Sequence, residues 1–421
     1  MPRPTVIIAL LALVASLPVG AQEPPVLRYT SWMLLPPGEV SIEARPYGMT
    51  HDDYTYRDQP SFSVVSLQGE NLETVDGRLG MTTTVVITPA AGDLALLRLT
   101  PGNNYSVPRP AADLFWYVAT PDAPLNVVGG FPELYFWLPP GLRAGTVLCH
   151  AFSVGEAGRL VVTDLEGSLL GELESDFNEP EALLFRLPAP APGGALLRLD
   201  LLAPANPDWT VDDAKVWLGP EIPGLLAPTR EAAEAIPGVA RLLGIPTDWT
   251  LLRDFEGEHN PIATIQWSRP VEEGATLPAY DVRLSDEQSI SGKQSLRVEL
   301  RFPEGQGDSQ ELKLFTEPLD VASVRRVRFF LYGDGSGRTM IVRVRDASQE
   351  HHYVNVGSID WTGWKAVVAD FARPTSVSGG DENRQIDGPP VSVVVQIQHG
   401  RANPPQSVLY IDDLAVEANT P

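Results

Sequence analysis

Forty prolines and 36 glycines, close to a fifth of the 421 residues, rule out a helix-rich fold. Proline removes an amide hydrogen that a helix interior needs, and glycine loses more backbone freedom on ordering than any other residue. The two residues follow no three-residue period, so collagen is excluded as well. What remains is many short strands broken by turns. The chain supplies them as β-branched and aromatic runs: MTTTVVIT (81–88), DLALLRL (93–99), DLFWYVA (113–119), ELYFWLP (133–139), TVLCHAFSV (146–154), RLVVTDLEG (159–167), LLFRLP (183–188) and ALLRLDLL (195–202). Their spacing is that of β-sandwiches. A chain of this length holds two or three domains.

Composition narrows function by exclusion. The formal net charge is −23, so the phosphate attraction that dominates nucleic-acid affinity would be repulsive. Residues 1–21 read as an export signal, with Arg3 followed by an apolar run over residues 5–17 and the small-residue stretch Val19-Gly20-Ala21 for cleavage. That run is too short to span a bilayer. Cys149 is the single cysteine, so no intramolecular disulfide can form; its alternating surroundings mark it as a small buried hydrophobe.

The organisation reads as a β-sandwich over residues 26–128 and another over 129–220, either as two domains or as one unit. A proline-rich linker over 221–249 follows, with a short helix in TREAAEAI that Pro237-Gly238 should stop. The strand pattern then resumes over 250–419. The endings VDDAKVWL (211–218) and IDDLAVE (411–417) are the one internal echo, and suggest that two sandwiches close on similar last strands.

Residues 250–419 carry, in order, DFEG (254–257), SISGKQSLRVEL (289–300), DVASVRRVRFFLYGDGSG (320–337), IVRVRD (341–346), DWTGWKAVVADF (360–371) and LYIDDLAVE (409–417). In this series the segment resembles the carbohydrate-binding jelly-roll domains of the galactose-binding-like group. The resemblance implies an all-β fold and a polysaccharide or glycan as partner. It also implies a structural calcium ion where the first strand, the Ser-Gly-Lys turn and the final strand meet. The matching positions here are Asp254, Glu256, the carbonyl of Lys293, and Asp412 or Asp413. Adjacent residues of a strand point to opposite faces, so one of the two aspartates should reach the ion by its side chain, Asp412 being favoured.

Strand periodicity separates the faces. In residues 391–398 the odd positions Val391, Val393, Val395 and Ile397 should face the core, which leaves Gln396 and Gln398 outside. In residues 327–332 the same rule buries Val327, Phe329 and Leu331 and exposes Arg328, Phe330 and Tyr332. Arg343 and Arg345 alternate with Val342 and Val344. Were these strands in one sheet, its outer face would hold Tyr332, Arg343, Arg345, Tyr353, Gln396 and Gln398. Aromatic rings against sugar C–H surfaces and planar amide or guanidinium groups on hydroxyls suit such a ligand, although an ordinary solvated face has the same composition. Trp267, Tyr280, Trp361 and Trp364 are further candidate platforms or edge-packing rings. His351 and His352 are neighbours on a strand and cannot serve one site as a pair.

Catalytic signatures are missing. The six histidines show no zinc-ligand spacing, and neither a nucleophile elbow, a phosphate loop nor a dinucleotide fingerprint occurs. RVELR (297–301) and VQIQH (395–399) look like two motifs of jelly-roll alginate lyases, but the second carries an inserted Gln and that family's Tyr- and Lys-containing C-terminal strand is missing. The expectation is a secreted, non-catalytic carbohydrate-binding protein. Its rival is a cell-surface structural or adhesion protein that uses the sandwiches as spacers.

Overall fold

The computed structural model describes residues 24–47, 56–88, 94–153, 156–189, 191–206, 209–245, 247–257, 264–267, 279–302, 308–313, 321–400 and 402–417. The expected export segment lies outside these. The chain divides into two compact units: residues 1–138, 147–185 and 195–245, and residues 139–146, 186–194 and 246–421. Both are built from antiparallel sheets.

In the first unit one eight-stranded sheet draws on both of these segments, residues 26–128 and 129–220. Val127 of the strand Leu125–Val128 pairs with Leu27 on one side and with Ala214 of the strand Asp213–Leu218 on the other, so the sheet runs unbroken across position 128. The residues expected to form a linker contribute the strand Leu225–Leu226 and a helix, Arg230–Leu242. The helix passes through Pro237 where the sequence suggested a stop. Thr229 caps its start by accepting from the Ala232 N–H, and Ala232, Ala233, Ile236, Val239 and Ala240 form a buried face. That face packs with Leu34, Trp116, Trp137 and Leu225, while Trp116 Nε1 donates to the Ala232 carbonyl at 2.7 Å. Apolar burial here outweighs the roughly 3 kcal/mol that an interior proline costs.

The second unit is a sandwich of two six-stranded sheets. The first contains Thr250–Arg253, Ala279–Ser285, Ser295–Arg301, Arg326–Asp334, Thr362–Asp370 and the closing strand Gln406–Glu417. The second contains Thr264–Trp267, Asp308–Lys313, Arg338–Arg345, His351–Ile359, Ser376–Ser378 and Ser392–His399. The chain crosses repeatedly from one to the other, as in a jelly roll. Alternate residues of both sheets meet in one core, with Leu296, Val298, Val327, Phe329, Leu331 and Ile411 from the first and Met340, Val342, Val344, Val393, Val395 and Ile397 from the second.

Candidate functional site

The outer face of the second sheet gathers five of the six expected ligand residues. Gln396 sits beside Ile341, which sits beside Asn355; one step along, Val394, Arg343 and Tyr353 form the next row, and Ser392, Arg345 and His351 the third. Gln398 pairs with Thr339. The Arg343 guanidinium lies 5.9 Å from the Tyr353 ring centroid, and the Tyr353 hydroxyl is 3.3 Å from Ser378 Oγ. Arg343, Arg345, Tyr353, Gln396 and Gln398 are all half-buried. Arg345 Nε is buried with no hydrogen-bond partner among the described residues. Amides, guanidinium groups and a ring on one face can meet hydroxyls and apolar sugar surfaces together.

Tyr332 does not belong to this group. Its strand lies in the other sheet, where it meets Trp364 edge-on at 5.5 Å and Tyr410 at 5.7 Å. Arg328 and Phe330, expected outside on the same strand, are 0% exposed. The outer side is covered at this point, and the Arg328 guanidinium lies 5.6 Å from the Trp249 ring and 5.2 Å from that of Phe330. Farther along, the face is a set of matched charges. Glu299 takes Arg297 at 2.9 Å and Arg301 at 2.5 Å, and the Tyr410 hydroxyl donates to Glu287 at 2.5 Å. Hydrogen bonds from Arg301 and then Arg297 hold the Glu299 carboxyl below its ordinary range.

The two lyase-like motifs fall on different sheets. Arg297 and Glu299 belong to the charge network above, whereas His399 is buried and stacked on Phe302 at 4.1 Å beside Arg338. Burial pushes Arg338 down to about 10. Cys149 is 0% exposed, and burial drives its thiol up, which removes it as a nucleophile. Trp361 packs on the core and Tyr280 is exposed. The Trp267 side chain lies outside the described set.

Of the five residues expected around calcium, Glu256, Asp412 and Asp413 hydrogen-bond to the turn over residues 289–294, and Lys293 belongs to that turn. Glu256 Oε1 accepts from the Lys293 and Gln294 N–H groups at 2.6 and 2.7 Å, and Asp412 Oδ2 from Ile290 and Ser291 at 2.9 and 3.3 Å. Gly292, at φ 59°, lies so close to Glu256 that a Cβ would come within 2.3 Å of Oε1. Asp413 departs from the alternation rule. It sits at φ 48° in a bulge of the closing strand, so its carboxylate also reaches this turn and accepts from Ser291 Oγ at 2.8 Å. Both aspartates therefore face one loop. Burial, reinforced by the Asp413 charge, raises Asp412 to about 8; burial also raises Asp413, against the pull of Arg328. Among the described residues Asp413 Oδ2 is buried without a hydrogen-bond partner, and Asp254 lies 3.9 Å from Arg143. These are hard oxygen donors of the kind calcium takes. Among the described residues, however, the group that brings three ligand atoms within 4.8 Å of one another is a different one, Asp346, Glu350 and His352.

Asp346 and Glu350, and Asn355 on the outer face of the second sheet, escaped the sequence reading, which weighed His351 and His352 only as a pair. Strand parity carried through the hairpin after Arg345 is the signal that finds them.

No protein-family model and no curated protein matches this chain. Among solved structures it is similar to the family 11 carbohydrate-binding module of cellulosomal cellulase Lic26A-Cel5E of Clostridium thermocellum, at 11% identity over 41% of this chain and 95% of that one, TM-score 0.28. It is also similar to the CBM22-1 xylan-binding domain of Paenibacillus barcinonensis Xyn10C, at 16% identity over 39% and 90%, TM-score 0.24. A third is TmCBM61 in complex with beta-1,4-galactotriose, at 18% identity over 34% and 88%, TM-score 0.23. These neighbours are carbohydrate-binding modules.

Proposed function

We propose that this is an exported, non-catalytic carbohydrate-binding protein that lays a glycan chain along the outer face of the second sheet of its C-terminal unit. The observation that carries the reading is the register that stacks Gln396, Arg343, Arg345 and Tyr353 in adjacent rows, with Gln398 beside them, all half-buried. The chemistry at hand is binding chemistry, and the lyase-like residues sit apart on separate sheets. Export rests on Arg3, the apolar run over residues 5–17 and Val19-Gly20-Ala21, with cleavage after Ala21. No helix of the described residues is long and apolar enough to cross a membrane.

Calcium is part of the proposal, held at the turn over residues 289–294 by Asp412 and Asp413 with Asp254, Glu256 and the Lys293 carbonyl, and offsetting the repulsion of the gathered carboxylates. Affinity electrophoresis of the full chain in gels carrying neutral and uronic polysaccharides tests the function. Retardation by at least one of them is expected, and free migration in all of them overturns it.

A further inference from the structure

The hairpin between Arg338–Arg345 and His351–Ile359 extends the core-facing side of the sheet into a polar cluster. Met340, Val342 and Val344 are buried in the core, and the next residues of the same parity that stay buried are Asp346, Glu350 and His352, each 0% exposed. The turn keeps them in phase. Asp346 N–H donates to the Glu350 carbonyl at 3.1 Å, Gln349 N–H to that of Asp346 at 3.2 Å, and Gln349 takes φ 71° to close the loop.

His352 Nε2 lies 3.3 Å from Asp346 Oδ2 and 3.6 Å from Glu350 Oε2. Each carboxylate is oriented through its other oxygen. Asp346 Oδ1 accepts from Ser348 Oγ and Glu350 N–H, both at 2.9 Å, and Glu350 Oε1 from Arg384 N–H at 3.4 Å. Glu350 Oε2, wholly buried and aimed at the imidazole, has no hydrogen-bond partner among the described residues. Among the described residues neither carboxylate pairs with an arginine or lysine, so even a protonated imidazole leaves surplus buried negative charge. Two desolvated carboxylates that share one imidazole are costly without a further cation.

We propose that Asp346, Glu350 and His352 bind a divalent transition-metal ion of the zinc class, a structural site that ties the hairpin tip to the loop running from Gly379 to Gly388. Metal–ligand bonds of about 2.0–2.2 Å set tetrahedral donor–donor edges near 3.3–3.6 Å, the spacing seen around Nε2. An imidazole ligand disfavours calcium and magnesium, which prefer all-oxygen sites. The loop is already fitted to the cluster. Asp387 N–H donates to Asp346 Oδ2 at 3.1 Å, and Gly380, at φ 59°, lies where a Cβ would come within 2.6 Å of Glu350 N. A water or a backbone carbonyl completes the fourth position.

The test adds Zn2+ or Co2+ alone to the metal-stripped, untagged full chain. Wild type should retain one equivalent of zinc through gel filtration and melt at a higher temperature with it than without. Glu350→Gln and His352→Gln should each weaken zinc binding by more than about tenfold, since outer-shell changes alone cost 10–100-fold. Cobalt should give the intense visible bands of a four-coordinate ion. That spectrum is read on the unmutated chain, so it decides the matter even where a variant fails to fold. Absence of the bands, no zinc retained by wild type, or equal retention by wild type and Glu350→Gln overturns the proposal.

Discussion

The two sheets of the C-terminal unit obey the same two-residue alternation on their core side, yet their outer faces handle charge in opposite ways. On the first sheet the charges are spent on one another or sealed. Arg297 and Arg301 share Glu299, Arg283 spans Asp281 and Glu287, and Arg328 is enclosed beside Trp249 and near Asp413. On the second sheet Gln396 lies beside Ile341 and Arg343 beside Tyr353, while Arg345 and Gln398 continue the same face, all of them half-buried. Similar residue types thus make a self-satisfied wall on one side and, on the other, the face proposed to take the glycan. Composition alone does not separate them; the partners do.

Four experiments break or sharpen that contrast. The largest effect should come from Arg328→Ala on the sealed face. Removing a fully buried cation strands Asp413, and about 3–5 kcal/mol of stability should be lost in denaturant unfolding. A variant as stable as wild type would show that Arg328 does not neutralise the pair.

Next is the double change Gln396→Ala with Gln398→Ala on the second sheet. Loss of two hydrogen-bonding amides should weaken glycan retention about 30-fold or more, at roughly 1 kcal/mol per bond, and leave the melting temperature in place. Undiminished retention would move the site off this face.

A third effect is pH-dependent. Asp412, raised to about 8, keeps its proton on folding across a range in which the unfolded chain has lost it. Its stabilising contribution is therefore full below the ordinary carboxyl range near 4 and declines as pH climbs toward 8. In chelator the melting temperature of wild type should fall over that interval more than that of Asp412→Asn, and added calcium should restore it at the alkaline end. Identical profiles for the two proteins, with and without calcium, would remove both the proton and the ion from this turn.

The smallest effect belongs to Arg283→Ala, whose partners are about half exposed. Exposed ion pairs contribute little, so the melting temperature should move by about 3 °C or less and glycan retention should not change. A loss of retention here would assign the ligand to the first sheet and overturn the comparison.

The all-β fold, the short strands and the core positions Val327, Phe329, Leu331, Val393, Val395 and Ile397 were legible before any coordinates, because proline and glycine load and a two-residue period are local properties. The same rule misassigned Arg328 and Phe330, since alternation tells inside from outside only where nothing covers the outside. It misassigned Asp413 because a bulge resets the phase. Pro237 did not end its helix, because the apolar face of that helix found Trp116 and Trp137, which lie far away in sequence.

Which strands share a sheet is the decision the sequence could not make. Tyr332 and Gln396 sit on strands of equally plausible pattern, and only long-range pairing puts one beside Trp364 and Tyr410 and the other beside Ile341. Pairing partners are chosen by the total burial of two sheets closing on one core, a sum over residues distant in the chain that no local window contains. The Asp346, Glu350 and His352 cluster follows from the same closure. Local period sets each side chain on the core side, and only the folded hairpin brings the three together where water does not reach.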